Sequence, residues 1–227
     1  GVNFKDVVEF TVLRQGKKEY AIDKHFDDIT ARYFRFVTDM DFEISAINLS
    51  GVYRFNEMLA RTSLYMQENH RLPPLDEAPQ NMIVKKAEII NVTKFVNNRG
   101  ELKTKLPKGN WTIMRLGYSI TGAVNGPASD EGRGWEVDKM SKASFKTFFD
   151  GYVKNVIDVS KPVAPNALQY IEIDSYEVGG QNWTKGYEKY FKEHLGYDIM
   201  DFLPLYAGRY VESTDTTERV LWDMRNF

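Results

Sequence analysis

Cysteine is absent from this 227-residue chain, and histidine occurs three times. Without cysteine there is no disulfide, no thiolate nucleophile and no cysteine-based zinc site, and oxidising and reducing compartments leave no separate mark. His25, His70 and His194 are scattered at no metal-ligand spacing, which suits a surface role for each. No apolar run is long enough to cross a bilayer, and the opening Gly-Val-Asn-Phe-Lys-Asp reads as neither a signal peptide nor a transit peptide, so no membrane partner is expected. An excess of one charge is missing too. Thirty Lys and Arg against 32 Asp and Glu leave a formal charge of −2, with no basic field for nucleic acid and no acidic tail, and nucleic acid is not an expected partner.

What is present is a globular composition, 42% hydrophobic and 14% aromatic, in a chain that can bury one good core or two modest ones. From Val7 to about Tyr118 the pattern is short strands with turns between them. Residues 7–13 and 19–22 flank a Gln-Gly-Lys-Lys turn and read as a hairpin; residues 32–37 and 42–49 make a second pair. Residues 55–67 interrupt the β pattern, because Met58, Leu59, Leu64 and Tyr65 recur at near-helical spacing before Leu72-Pro-Pro. Strands return at residues 87–92, 100–106 and 110–118, and several strands at this spacing predict a β-sandwich over residues 1–118.

The grammar changes at Ser119. A Gly/Asn/Pro-rich loop leads to Trp135-Glu-Val-Asp-Lys139; Ser141 then caps an amphipathic helix with Phe145, Phe148, Phe149, Tyr152, Val153 and Val156 on its apolar side. Further on, a helix runs through Tyr187, Tyr190, Phe191 and Leu195 to Gly196 as its C-cap. Residues 203–208 form a short element, and Ser213 or Thr214 opens a last helix through Val220, Leu221 and Trp222. Helices with buried strands between them predict an α/β segment over residues 119–227, with the domain boundary near 118–122.

The stretch from Tyr170 to Thr184 carries the chemistry. Tyr170, Ile171 and Ile173 fit a buried strand, Asp174 and Glu177 follow, Gly179-Gly180 break the strand, and Asn182 or Thr184 can cap a helix beginning near Trp183. In α/β folds the loops leaving strand ends bear catalytic groups. An equally good structural reading has Asp174 capping a turn and Glu177 solvated. Glu136 and Asp138 form a second acidic strand end of a kind that suits calcium, although a surface pair beside Lys139 is the plainer reading.

Six ordered motifs then carry a resemblance: residues 109–118, 134–139, 173–178, Gln181-Asn-Trp-Thr184, Leu195-Gly-Tyr-Asp198 with Leu203-Pro204, and 218–225. As a set they resemble glycoside hydrolase family 106, the α-L-rhamnosidase type. The resemblance implies a (β/α)₈ catalytic barrel with an inserted β-sandwich, inverting hydrolysis of terminal α-L-rhamnosides, and a calcium ion at the sugar site. It places Glu177 at the general acid, with the general base about a hundred residues beyond it.

A (β/α)₈ barrel needs about 250 residues, so residues 119–227 are expected to form an incomplete (β/α)₈ barrel, an internal fragment inactive by itself. Inverting chemistry sets the two carboxyl groups about 6.5–9.5 Å apart. Asp174 and Glu177, three positions apart, are therefore not the acid and base, and Asp174 is read as a supporting residue. Tyr176, Asn182 and Trp183 are the substrate-binding candidates, with the aromatic rings suited to stacking on a sugar. Partners are expected to be a rhamnose-containing oligo- or polysaccharide and, through exposed barrel surfaces, a homo-oligomer. The family's substrates imply a periplasmic or secreted protein. The rival reading is a carbohydrate-binding β-sandwich module with no catalytic role.

Overall fold

The computed structural model describes residues 3–10, 24–27, 29–39, 43–63, 72–172 and 179–226. Among the described residues no β-strand forms, which corrects both the β-sandwich expected over residues 1–118 and the α/β barrel segment expected after it. Extended pairing between described residues is seen as isolated bridges, Val84 with Val211, Val96 with Leu102 and Val124 with Trp135, and Gln181 also lies in a bridge. The physical reason lies in what alternation means. A period of two shows that a segment could line a sheet face, but a strand exists only where a neighbour supplies a hydrogen-bonding ladder. Segments such as 43–49 and 110–118 lack one, and Ile44, Ile47, Ile113 and Tyr118 remain exposed. Tyr170 and Ile171, expected in a buried strand, are exposed as well.

The helices fare better because their hydrogen bonds are local. Met58–Thr62 form α1, within the stretch where the β pattern was expected to break. Ser141 caps α2, Lys142–Phe148, by accepting from the Ser144 N–H at 3.2 Å. After a wider π-helical turn at Phe149–Val153, α3 continues over Lys154–Ser160. The apolar side read from the sequence is present but uncovered, with Phe145, Phe148, Tyr152 and Val156 all exposed.

Tyr187–Leu195 form α4, bracketed by Gly186 and Gly196, both left-handed, with Glu188 in the first turn and Lys192 and His194 in the last, the order that complements the helix dipole. Its start corrects the expected cap at Asn182 or Thr184, since no side chain caps it and Gly186 takes that position. Ile199–Ala207 then wind as a 3₁₀ helix, opened by Asp198, whose carboxylate accepts from the Met200 N–H, and closed by Gly208. Burial raises the Asp198 pKa, but the Lys192 ammonium and the Met200 N–H outweigh it and hold the carboxyl below its usual range. Finally α5 spans Thr214–Asn226, with the Ser213 hydroxyl accepting from the Thr216 N–H at 2.9 Å.

These C-terminal elements pack into the core. Phe191, Ile199, Leu205 and Leu221 are fully buried, together with Phe55 and Tyr210, whose rings meet edge to face. Apolar burial on this scale is the main stabilising term. Backbone bonds stitch residues 53–89 onto it: the Phe55 N–H donates to the Gly208 carbonyl at 2.8 Å and the Val84 N–H to the Tyr210 carbonyl at 2.9 Å. Buried Arg61 completes the seam, donating to the carbonyls of Asn56 and Pro73, while Arg225 donates to the Arg61 carbonyl at 2.9 Å.

Candidate active site

The site is built where residues 134–141 meet residues 181–184, the segment that precedes α4. Asp138 is its hub. One carboxylate oxygen accepts from the Met140 N–H at 3.0 Å and from the Gln181 side-chain amide; the other accepts from the Thr184 hydroxyl at 2.5 Å. Gln181 answers by accepting from the Lys139 N–H at 3.3 Å. Glu136, two residues away, forms an ion pair with Lys139.

Between Gln181 and Thr184 lie two of the expected substrate-binding residues. The Asn182 carbonyl accepts from the Tyr206 hydroxyl at 3.1 Å. Trp183 enters an aromatic cluster, with its ring centroid 4.9 Å from that of Tyr187, 5.8 Å from Tyr206 and 6.4 Å from Tyr118. Burial pushes the phenols of Tyr187 and Tyr206 well above their ordinary value, and the Asp223 carboxylate adds to the shift at Tyr187. Both stay neutral hydrogen-bond donors at any physiological pH.

The structure therefore brings Asp138, Asn182 and Trp183 into one neighbourhood, with Glu136 beside Asp138. Asp174, Tyr176 and Glu177 lie outside the described residues. Sequence reading missed Gln181, Thr184 and Tyr206. Gln181 and Thr184 meet Asp138 across 43 and 46 residues, and side-chain pairing at such separations leaves no periodic signal.

Calcium takes about six to eight oxygen ligands. The oxygens of Asp138 are occupied by N–H and O–H donors and Glu136 is paired with an ammonium group. Among the described residues no three His, Asp or Glu side chains gather in a way that could hold a metal ion. Glu136 and Asp138 as arranged do not fit a calcium ion.

The family model described as alpha-L-rhamnosidase matches residues 3–227. A protein of Formosa agariphila, provisionally named a beta-glucuronidase, is 42% identical over 157 residues, which make up 69% of this chain and 14% of that protein. The solved structure of a rhamnosidase from Novosphingobium sp. PP1Y is similar with a TM-score of 0.60 and 25% identity, over 78% of this chain and 17% of that one. The chain thus spans a small part of the length of either relative. Since the family model runs through nearly all of it, the chain belongs to glycoside hydrolase family 106, the alpha-L-rhamnosidase family.

Proposed function

We propose that this chain carries the general-acid side of an inverting glycoside hydrolase that removes terminal α-L-rhamnosyl groups from a rhamnose-containing oligo- or polysaccharide. The observation that supports this most is the family match along residues 3–227, which includes the Asp174 to Glu177 stretch. Glu177 is the proton donor to the leaving oxygen. For that role its carboxyl must remain protonated near neutral pH, which requires a dry, apolar setting of the kind that aromatic residues such as Tyr176 and Trp183 supply. Asp174 supports it. Asn182 and Trp183 contact the sugar, the indole through an apolar ring face and the amide through hydroxyl groups.

The resemblance to the family puts the base that activates water about a hundred residues beyond Glu177, outside residues 1–227; Asp174 is too near Glu177 in sequence to flank the opposite face of a sugar ring. On this reading the 227 residues alone do not turn over substrate.

The relative provisionally named a beta-glucuronidase favours a second reading, in which the sugar carries a carboxylate. The two part in a direct assay of the full-length protein on aryl α-L-rhamnoside and aryl β-D-glucuronide. Turnover of the first and not the second is the expected result, and the reverse establishes the second reading.

A further inference from the structure

We infer that Asp138 is a positioning residue: it fastens the segment 181–184 and so presents Asn182 and Trp183 to the sugar, and it is not a metal ligand. This rests on the reading of Asn182 and Trp183 given above. The geometry carries it. The two oxygens of one carboxylate accept from Gln181 and from Thr184, the residues immediately before and after Asn182-Trp183. Thr184 is 8% exposed, so water cannot readily replace the carboxylate as partner of its hydroxyl. The Met140 N–H fixes the carboxylate itself, and the Lys139 N–H bonded to the Gln181 side-chain oxygen closes a reciprocal pair. A segment ordered before substrate arrives does not have to be ordered by it, and that difference appears in binding.

The distinction from metal ligation lies in what asparagine can do. In Asp138→Asn the amide oxygen still accepts from Gln181 and Met140, and the amide nitrogen donates to the Thr184 hydroxyl oxygen, so all three contacts are kept, the one to Thr184 with its direction reversed, while the charge is lost. Asp138→Ala loses them all.

The test uses the full-length protein with an aryl α-L-rhamnoside. Asp138→Ala should raise KM about tenfold with kcat nearly unchanged, the signature of lost uniform binding, while Asp138→Asn stays within about threefold of wild type. Neither should change how activity depends on added calcium. Should Asp138→Ala fail to fold, Thr184→Val, which keeps the shape and removes the hydroxyl, serves in its place with a smaller rise in KM.

A second readout needs no turnover. Lys185 is exposed directly after residues 181–184, and the rate of tryptic cleavage there reports how firmly that segment is held. It should rise in Asp138→Ala and Thr184→Val, and not in Asp138→Asn. Faster cleavage in a protein with no activity on rhamnosides keeps the fastening and overturns the substrate reading. Unchanged cleavage, an unchanged KM in Asp138→Ala, or an Asp138→Asn protein as impaired as the alanine variant and rescued by excess calcium overturns the inference.

Discussion

The Tyr197 hydroxyl donates to the Asp223 carboxylate across 2.7 Å, tying the segment just after α4 to the C-terminal part of α5. Burial first, and then this bond to an anion, push the Tyr197 phenol far above its ordinary value near 10. Tyr197→Phe should cost about 1–2 kcal/mol, since hydrogen bonds to charged groups contribute more than neutral ones. Urea unfolding of the two proteins checks this, with equal midpoints counting against it.

Tyr187, Tyr197 and Tyr206 are all shifted upward, first of all by burial, and the sign of the consequence follows from linkage. In the unfolded chain each phenol ionises near pH 10, while the folded state holds its proton to higher pH. Above pH 10 the unfolded state therefore binds fewer protons, and stability falls as pH rises by about 1.4 kcal/mol per unit for each such tyrosine. Thermal melts should be level with respect to these groups between pH 7 and 9 and drop steeply from pH 10. The phenolate absorbance that these three contribute should appear together with unfolding, not ahead of it.

Two neighbours on α4 separate packing from helix propensity. Phe191 is fully buried and Tyr190 is exposed. Phe191→Ala should cost about 3–5 kcal/mol through lost transfer energy and the cavity left behind, and Tyr190→Ala under about 1 kcal/mol. Denaturant midpoints for the pair provide the measurement, and similar losses at both would mean that α4 does not face the core as described.

Gly208 and Gly196 share a left-handed backbone but not their surroundings. A Cβ on Gly208 would sit 3.3 Å from the Arg54 Cβ and 3.5 Å from the Phe55 carbonyl oxygen, whereas one on Gly196 meets nothing within 4 Å. Ala at position 196 should cost about 1 kcal/mol for the conformation alone. Ala at 208 should cost clearly more and loosen the Phe55 to Gly208 hydrogen bond, which amide exchange at Phe55 reports.

These elements also show what the sequence made legible. The caps at Ser141, Ser213 and Gly196 stand where their residue types predicted, because a cap is decided within one turn of chain. The start of α4 was misplaced for the opposite reason: Thr184 is a good capping residue, but its hydroxyl is engaged by Asp138 from a distant segment. Strands were the largest error. Residues 110–118 are rich in strand-forming types, but residue type does not supply the neighbouring edge a ladder needs, and among the described residues none is formed. At the site, the acidic residue types at 136 and 138 were visible, whereas the donors that occupy Asp138 were not.

The most direct test of the proposed chemistry is a comparison of full-length wild type with Glu177→Gln on a natural rhamnoside and on an activated aryl α-L-rhamnoside. Removing a general acid should cost about 10²–10⁴ in rate where the leaving oxygen needs a proton, and far less where it does not. Proton NMR of the first sugar released by wild type should show inverted anomeric configuration. A variant as active as wild type on the natural rhamnoside, or equal losses on both substrates, would show that the proton comes from another residue.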